Sequence, residues 1–168
     1  MLNNVFTSVG IRMVKEKDYY LSHPISSPKE AIRFVIKNFG DFDREVFIVV
    51  NLSTNNIPVN LSVVSMGSLD AALVSTREIY KTAILSNARA ILLLHNHPSG
   101  NLKPSKADLD ITKKIVACGK LLDVTVLDHI IFNDRTFLSL REKDPSCLYL
   151  GDSLCISSNP ELDGEFEI

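Results

Sequence analysis

The sequence predicts an α/β protein, an α+β sandwich in which helices flank one mixed β-sheet. Residues 46–52 form an almost unbroken run of apolar and β-branched residues, which is typical of a strand buried on both faces. Capped segments with helical spacing follow Ser27 and Ser105. The segments come in the order helix, strands, helix, strand, helix, strands, and this order favours helices packed against a mixed sheet.

Length and charge limit the classes of protein to consider. A chain of 168 residues with 45% hydrophobic residues is long enough to form a single domain around its own core. The formal net charge of −2, without a run of five or more like charges, gives no general attraction to nucleic acid. A nucleic-acid partner is therefore left open, but charge does not support it.

Cysteine usage and hydropathy indicate the compartment. Cys118, Cys147 and Cys155 are odd in number and form no C-x-x-C pair, which favours free thiols in a reducing environment. No apolar stretch approaches the ~20 residues needed to span a membrane, and charged residues interrupt any apolar signal near the N-terminus. We therefore expect a cytoplasmic protein without a membrane partner, and the sequence does not specify its oligomeric state.

The first helix has a clear start. Ser27 can act as its N-cap, Pro28 suits the first helical position, and Glu30 completes a capping box. Residues 1–25 are predicted to form an extension with one strand, from Val9 to Val14.

Two strands are predicted after the first helix. The buried run 46–52 is expected to be a central strand, and Asn55 with Asn56 forms the turn that follows it. Residues 57–65 then form a partner strand. Pro58 has no backbone N–H to donate to a ladder, so this second strand is expected at an edge or with irregular pairing.

The second half of the chain continues the alternation. Residues 68–73 are ambiguous, and Thr76 is predicted to cap a helix in which Ile79, Ala83 and Ile84 share one face. The remaining predictions are a strand at 90–94, a helix from Ser105 to about Leu122, a strand at 124–132, a turn at 133–135, a hairpin strand at 136–140 and a tail at 143–168. The tail prediction rests on lost periodicity and polar composition, and one short hairpin or a docking segment within the tail is left open.

Two histidines directly follow the strand predicted at 90–94, and an aspartate lies in the first turn of the next predicted helix. His95 and His97 are two positions apart, so an extended backbone points both imidazoles to the same side. Pro98 and Gly100 favour a turn that could bring Asp108 back to them. Zinc accepts imidazole nitrogen and carboxylate oxygen, and a catalytic zinc keeps three protein ligands. The spacing alone leaves two interpretations open, a metal site and a helix cap beside structural histidines.

The same stretch resembles a known motif. The pattern His95-x-His97-Pro98, followed by Ser105-x-x-Asp108, is similar to the JAMM zinc motif of the JAB/MPN metalloproteases. The fuller string, which reads His-Asn-His-Pro-Ser-Gly and continues to a Pro-Ser pair, resembles the RadC-like branch of that family.

The likeness extends from about Ser22 to Glu142, which is most of the chain. It implies a domain at residues 26–142 with the cytidine-deaminase-like JAB/MPN fold. It also implies Zn²⁺ as the cofactor, held by His95, His97 and Asp108. The implied substrate is a peptide or protein, in which activated water hydrolyses a peptide or isopeptide bond.

The resemblance also implies two catalytic residues. In this fold a glutamate at the start of the first central strand acts as the base, and that position matches Glu45. The serine that matches Ser105 helps to stabilise the oxyanion. The residues alone would make Glu45 an ordinary exposed acid and Ser105 an N-cap. Asp43 and Glu78 are weaker candidates for the base.

Asp128 and His129 form a polar pair inside a predicted apolar strand. The favoured interpretation is a buried histidine bonded to backbone or to Asp128. A role in orienting a zinc ligand is left open.

The chain departs from part of the family pattern. Asn96 stands where deubiquitinating JAMM proteins usually carry Ser or Thr, which argues against ubiquitin-type substrates. RadC-like proteins have been associated with DNA repair, often with a helix-hairpin-helix region, for which the residues before Ser27 are too few. Two function classes follow. The first is a zinc-dependent peptidase or isopeptidase; the alternative is a RadC-type DNA-repair-associated or mobile-element accessory protein that uses the fold as a binding module.

Overall fold

One mixed sheet lies at the centre of the fold. The computed structural model describes residues 10, 12–21, 23–39, 42, 44–67, 74–133 and 136–149. The strands are β1 (Val46–Leu52), β2 (Pro58–Met66), β3 (Ala90–Asn96), β4 (Thr125–Phe132) and β5 (Phe137–Ser139). They lie in the order β2-β1-β3-β4-β5. All pairs are antiparallel except β3 with β4, which is parallel, so the predicted mixed sheet is confirmed.

Helices cover both faces of this sheet. They are α1 (Pro28–Phe39), α2 (Thr76–Leu85), α3 (Lys106–Leu121), α4 (Leu140–Lys143) and a short 3-10 helix, Pro145–Cys147. One core forms where α1 packs against the sheet, and a second forms beneath α2 and α3. The predicted α+β sandwich is therefore confirmed.

The central strand β1 contributes to both cores. Val46, Ile48 and Val50 face the α1 side, whereas Phe47 and Val49 face α2 and α3. Every residue of β1 is buried, as is every residue of β3. This explains why both strands are mainly apolar rather than alternating with polar residues; the polar exceptions are Asn51 in β1 and His95 and Asn96 at the end of β3.

The two sheet edges agree with the turn chemistry of the sequence. Strand β2 is an edge strand, as Pro58 indicated, and Asn56 adopts a positive φ of 57° in the turn before it. Asparagine tolerates this conformation better than most residues. At the other edge, β5 is shorter than predicted, because Leu140 already begins α4.

Three local predictions need correction. Ser27 does accept a hydrogen bond from the Glu30 N–H at 3.3 Å, but the Glu30 carboxylate accepts from the N–H and hydroxyl of Ser26 instead of completing a capping box with Ser27. The N-cap of α2 is Ser75 and not Thr76, because Ser75 has the extended backbone and accepts from the Arg77 N–H.

The third correction concerns the face of α2. Its buried residues are Ile79, Tyr80 and Ala83, whereas Ile84 is 54% exposed. At 100° per residue, Ile84 falls beyond the edge of the buried stripe.

The ends of the domain also differ in detail from the sequence patterns. Arg12, Met13 and Val14 are not in a strand, and the other predicted strand residues, as well as 68–73, lie outside the described residues, apart from Gly10. Past Glu142 the packed chain continues through the 3-10 helix, where Cys147 is buried and Leu148 contacts the second core. The division at residues 26–142 stays a prediction. No helix in the described part of the chain combines the length and the apolar character needed to cross a bilayer.

Candidate metal centre

The end of β3 and the start of α3 bring the two histidines and the aspartate together. His95 is the penultimate residue of β3 and is 2% exposed. His97 lies just past the strand, where its N–H donates to the Phe132 carbonyl at 2.8 Å. Gly100 has a φ of +83°, and its N–H donates to the His97 carbonyl at 3.0 Å, which closes the turn. Glycine suits this turn because it adopts positive φ without steric cost.

The helix cap aims the aspartate at the histidines. Ser105 is the N-cap of α3, and its hydroxyl oxygen accepts a hydrogen bond from the Asp108 N–H at 3.1 Å. The Asp108 Oδ2 in turn accepts from the Ser105 N–H at 2.7 Å and from its hydroxyl group at 2.6 Å. The capping box predicted from the sequence is therefore present, and it fixes the direction of the Asp108 carboxylate.

The three side chains form a compact donor cluster. His95 Nδ1 lies 3.2 Å from Asp108 Oδ1, and His97 Nε2 lies 3.7 Å from Asp108 Oδ2. The two imidazole rings meet edge to face with centroids 4.6 Å apart. One donor atom from each residue lies within 4.8 Å of the others, so these residues could hold a metal ion.

The hydrogen bonding of the histidines fits such an ion. Both ring nitrogens of His95 are buried and neither makes a hydrogen bond of good geometry, since Nδ1 has only the 3.2 Å contact with Asp108 Oδ1; this is costly for a polar group unless something else satisfies it. His97 Nδ1 lies 2.6 Å from the Asn101 carbonyl, an acceptor only, so Nδ1 must carry the proton. The lone pair of His97 is therefore on Nε2, the nitrogen that faces Asp108.

The electrostatics of Asp108 also suit a ligand. Burial by itself raises the pKa of this carboxyl, but the adjacent His95 imidazole and the hydroxyl and N–H of Ser105 outweigh burial and hold the pKa well below its usual range. The carboxylate is thus the charged form that a cation requires.

A buried polar network lies beneath the cluster. The Thr112 hydroxyl donates to the Asp108 carbonyl, so its oxygen must accept from His129 Nδ1, 2.6 Å away. His129 stacks near His95, with ring centroids 6.1 Å apart. Burial, and secondarily the proximity of His95, lowers the pKa of His129 to about 3. His129 is therefore neutral with its proton on Nδ1.

This network corrects the interpretation of the Asp128-His129 pair. The His129 ring bonds to Thr112 and not to Asp128, whose carboxylate accepts from the backbone N–H groups of His129 and Arg141 and from the Ser139 hydroxyl. Sequence reasoning missed Thr112. Its one signal is its position four residues after Asp108, one helical turn along the buried face of α3.

An open cavity of about 310 Å³ lies over the donor cluster. Its lining residues are Glu45, His95, His97, Ser99, Asn101, Lys103, Ser105 and Asp108. It thus brings together every site residue predicted for catalysis or metal binding. Ser99, Asn101 and Lys103 were not predicted.

Strand pairing explains how Glu45 reaches this cavity. Glu45 directly precedes β1, and Phe47 pairs with His95 across the antiparallel ladder. Because alternate residues of a strand face opposite sides, Glu45 shares the face of Phe47, whose ring lies 5.8 Å from the His95 ring. The two weaker candidates are elsewhere. Glu78 pairs with Lys81 at 2.5 Å on the surface of α2, and Asp43 lies outside the described residues.

Comparisons with known proteins agree with the fold. The sequence model of the RadC-like JAB domain matches residues 25–145. A UPF0758 protein of Clostridium acetobutylicum is 45% identical over 119 residues, which is 71% of this chain and 52% of the relative. A UPF0758 protein of Bacillus cereus strain AH187 is 38% identical over 135 residues, 80% of this chain and 60% of the relative.

This chain therefore spans just over half the length of the curated relatives it matches. The match to the domain covers both central strands, the capped helix α3 and the donor cluster between them. The sequence similarity, the mixed sheet and the His-His-Asp cluster lead to one conclusion: the chain belongs to the RadC-like JAB domain family.

Proposed function

We propose that this protein is a zinc-dependent metallopeptidase or isopeptidase that hydrolyses a peptide or isopeptide bond. The observation that carries the proposal is the shared cavity. It joins a three-donor cluster, a carboxylate from Glu45 and a hydroxyl from Ser105. An open cavity with these groups suits hydrolysis better than a closed structural metal site, which would surround the ion with four protein ligands.

Each residue has a distinct role in the proposed reaction. His95, His97 and Asp108 would hold the zinc ion. When bound, zinc lowers the pKa of a coordinated water to about 7 and polarises a carbonyl group. A metal with three protein ligands keeps an open position, so Glu45 is needed as a base and not as a further ligand.

Glu45 moves the proton. Its carboxylate takes a proton from water in the cavity while the water oxygen bonds to the substrate carbonyl carbon. Glu45 then delivers this proton to the nitrogen as the C–N bond breaks, which yields a carboxylic acid and an amine. The Ser105 hydroxyl lines the same cavity; to stabilise the developing negative charge on the carbonyl oxygen it would turn its one proton from Asp108 Oδ2 to that oxygen.

Metal analysis combined with cleavage of peptide and isopeptide libraries tests the proposal. We expect one zinc per chain in the wild type and in Glu45→Gln, because glutamine keeps the size of glutamate but not its basicity. Cleavage by Glu45→Gln should fall by about 10²–10⁴-fold, the usual contribution of a general base. Glu78→Gln is the matched control, since Glu78 is a surface acid outside the cavity and should keep wild-type cleavage.

Two results would contradict the proposal. Wild-type turnover by Glu45→Gln would show that another group is the base. Absence of cleavage together with DNA binding that weakens steeply with salt would favour the alternative, an accessory protein of the RadC type.

A further inference from the structure

We propose that Asn96 is a positioning residue that sets Glu45 against the donor cluster. The inference rests on the proposed function, because it concerns the base of that reaction. Asn96 stands between the two histidines in sequence, yet it is not among the residues that line the cavity. It acts through the backbone on either side of Glu45.

The Asn96 amide bonds to both neighbours of Glu45. Its Nδ2 donates to the Arg44 carbonyl at 2.9 Å, and its Oδ1 accepts from the Val46 N–H. The Arg44 carbonyl can only accept and the Val46 N–H can only donate, so the two partners determine the orientation of the amide. The backbone is therefore bonded to the Asn96 side chain on both sides of Glu45.

The Asn96 side chain connects β3 to β1 just beyond the point where their backbone pairing ends. The register of β1 with β3 finishes at Phe47 opposite His95. Past that pair the backbone of β3 pairs with β4 alone, through Asn96 opposite Phe132 and the bond from the His97 N–H to the Phe132 carbonyl. The Asn96 amide supplies the next cross-strand contacts to β1. Asn96 is 4% exposed, and its bond with the Val46 N–H is buried, whereas its bond with the Arg44 carbonyl is partly buried.

The position of Asn96 separates its role from metal binding. Alternate residues of β3 face opposite sides: Leu92 and Leu94 face the α1 core, whereas Ile91 and Leu93 face the second core. By this alternation the Asn96 side chain leaves the strand on the side away from His95. One strand end thus presents a donor for the metal on one face and an anchor for the base on the other.

The two bonds explain why asparagine suits this position. A carboxamide carries a donor and an acceptor on one planar group, and both are used. Aspartate keeps the acceptor for Val46 but cannot donate to Arg44 when ionised. Serine has a single, shorter-reaching oxygen and cannot bridge both anchors in the same way.

The test uses Asn96→Ala, the more conservative Asn96→Asp and a matched control, Asn51→Ala. Asn51 is a buried asparagine in β1 whose amide donates to Asn60 and Thr82, away from the cavity. In metal-free protein, NMR measures hydrogen exchange of the Val46 amide and the carboxyl ¹³C shift of Glu45. In zinc-loaded protein, metal content and the separate values of kcat and KM are measured.

We expect faster Val46 exchange and a moved Glu45 carboxyl signal in Asn96→Ala, and neither change in Asn51→Ala. Zinc content and KM should stay near wild type, while kcat falls by about 10²-fold, as expected for a misplaced catalytic group. In the Glu45→Gln background, Asn96→Ala should cause no further loss, because it acts only through Glu45. The Val46 amide should exchange more slowly in Asn96→Asp than in Asn96→Ala. If the alanine variant does not fold, the comparison is made between Asn96→Asp and the wild type.

Three outcomes would overturn the inference: unchanged Val46 exchange and Glu45 shift, loss of zinc, or an equal loss of kcat with and without Glu45. Failure of the proposed function has a different signature. The wild type would then cleave nothing, and the Val46 exchange and the Glu45 signal alone would decide whether Asn96 holds this segment in place.

Discussion

His95 and His97 contribute to one donor cluster from different surroundings. His95 is a buried residue of β3 and packs against Phe47 and His129. His97 is in the turn and is held mainly through its backbone N–H and its bond to the Asn101 carbonyl. Changing His97 should therefore disturb the metal site more than the fold.

The first prediction concerns this residue. His97→Ala should lower zinc content far below one ion per chain, because only two donors remain. The melting temperature of the metal-free protein should change little. Elemental analysis after dialysis checks the first part and thermal unfolding the second. His23→Ala is the control, since His23 is exposed and outside the cluster. Full zinc occupancy in His97→Ala would remove His97 from the ligand set.

Helix ends connect local structure to the site. Ser105 caps α3 and Ser75 caps α2, and each side chain accepts a backbone hydrogen bond. Only the Ser105 hydroxyl also donates to a carboxylate of the donor cluster. The two serines therefore separate the effect of a cap from the effect of orienting a ligand.

The second prediction compares Ser105→Ala with Ser75→Ala. Each should lower the free energy of unfolding of the metal-free protein by about 1 kcal/mol, the usual effect of losing an N-cap. Ser105→Ala should in addition weaken zinc binding by about 10–100-fold, as losing a hydrogen bond to a ligand does. Denaturant titration and chelator competition measure the two effects. Equal zinc affinity in both variants would show that the Ser105 hydroxyl does not orient Asp108.

The third prediction concerns the packing of α3 against its neighbours. In an exposed helix, Gly→Ala stabilises by about 1 kcal/mol. At Gly119, however, a Cβ atom would lie 2.4 Å from the Val124 carbonyl oxygen and 2.6 Å from the Tyr80 hydroxyl. Tyr80 is itself held by a 2.7 Å bond to the Ile115 carbonyl.

Gly119→Ala should therefore destabilise the protein, by about 1–3 kcal/mol as overpacking usually does. Denaturant unfolding measures the change, and Lys114→Ala, at an exposed position of the same helix, should be close to neutral. A stabilised Gly119→Ala variant would mean that the backbone at Val124 yields easily.

At the scale of the whole molecule, packing contacts extend past Glu142. Cys147 is 2% exposed, and Leu148 contacts the second core. The Cys147 thiol lies in a short 3-10 helix that Asp144 caps. These contacts belong to the region beyond Glu142 that its composition marked as a tail.

The fourth prediction follows from these contacts. A chain that ends at Tyr149 keeps the contacts of Cys147 and Leu148, and a chain that ends at Glu142 lacks them. Relative to the Tyr149 chain, the Glu142 chain should lose about 1.5–3 kcal/mol, the value of burying one apolar side chain, and melt several degrees lower. Calorimetry of the two truncations measures the difference. Identical melting temperatures would show that residues 143–149 add no stability.

Signals that act over a few residues were readable from the sequence. The continuous apolar runs predicted β1 and β3, and the Ser105–Asp108 spacing predicted both the start of α3 and its capping box. The same locality explains the small errors. The N-cap of α2 is Ser75, one residue before the predicted cap, and Ile84 faces outward. Neither difference changes the hydrophobic pattern of the helix enough to be read from the sequence.

The amino-acid sequence by itself determined the order of the elements and placed His95, His97 and Asp108 around one turn, because those residues are joined by a short, locally structured segment. Only the tertiary structure decided which distant residues join them. The pairing of β1 with β3 brings Val46 to Asn96, fifty positions away, and with it Glu45. The packing of α3 on β4 likewise joins Thr112 to His129. Strand register and helix packing depend on the whole core, so no local pattern specifies these contacts.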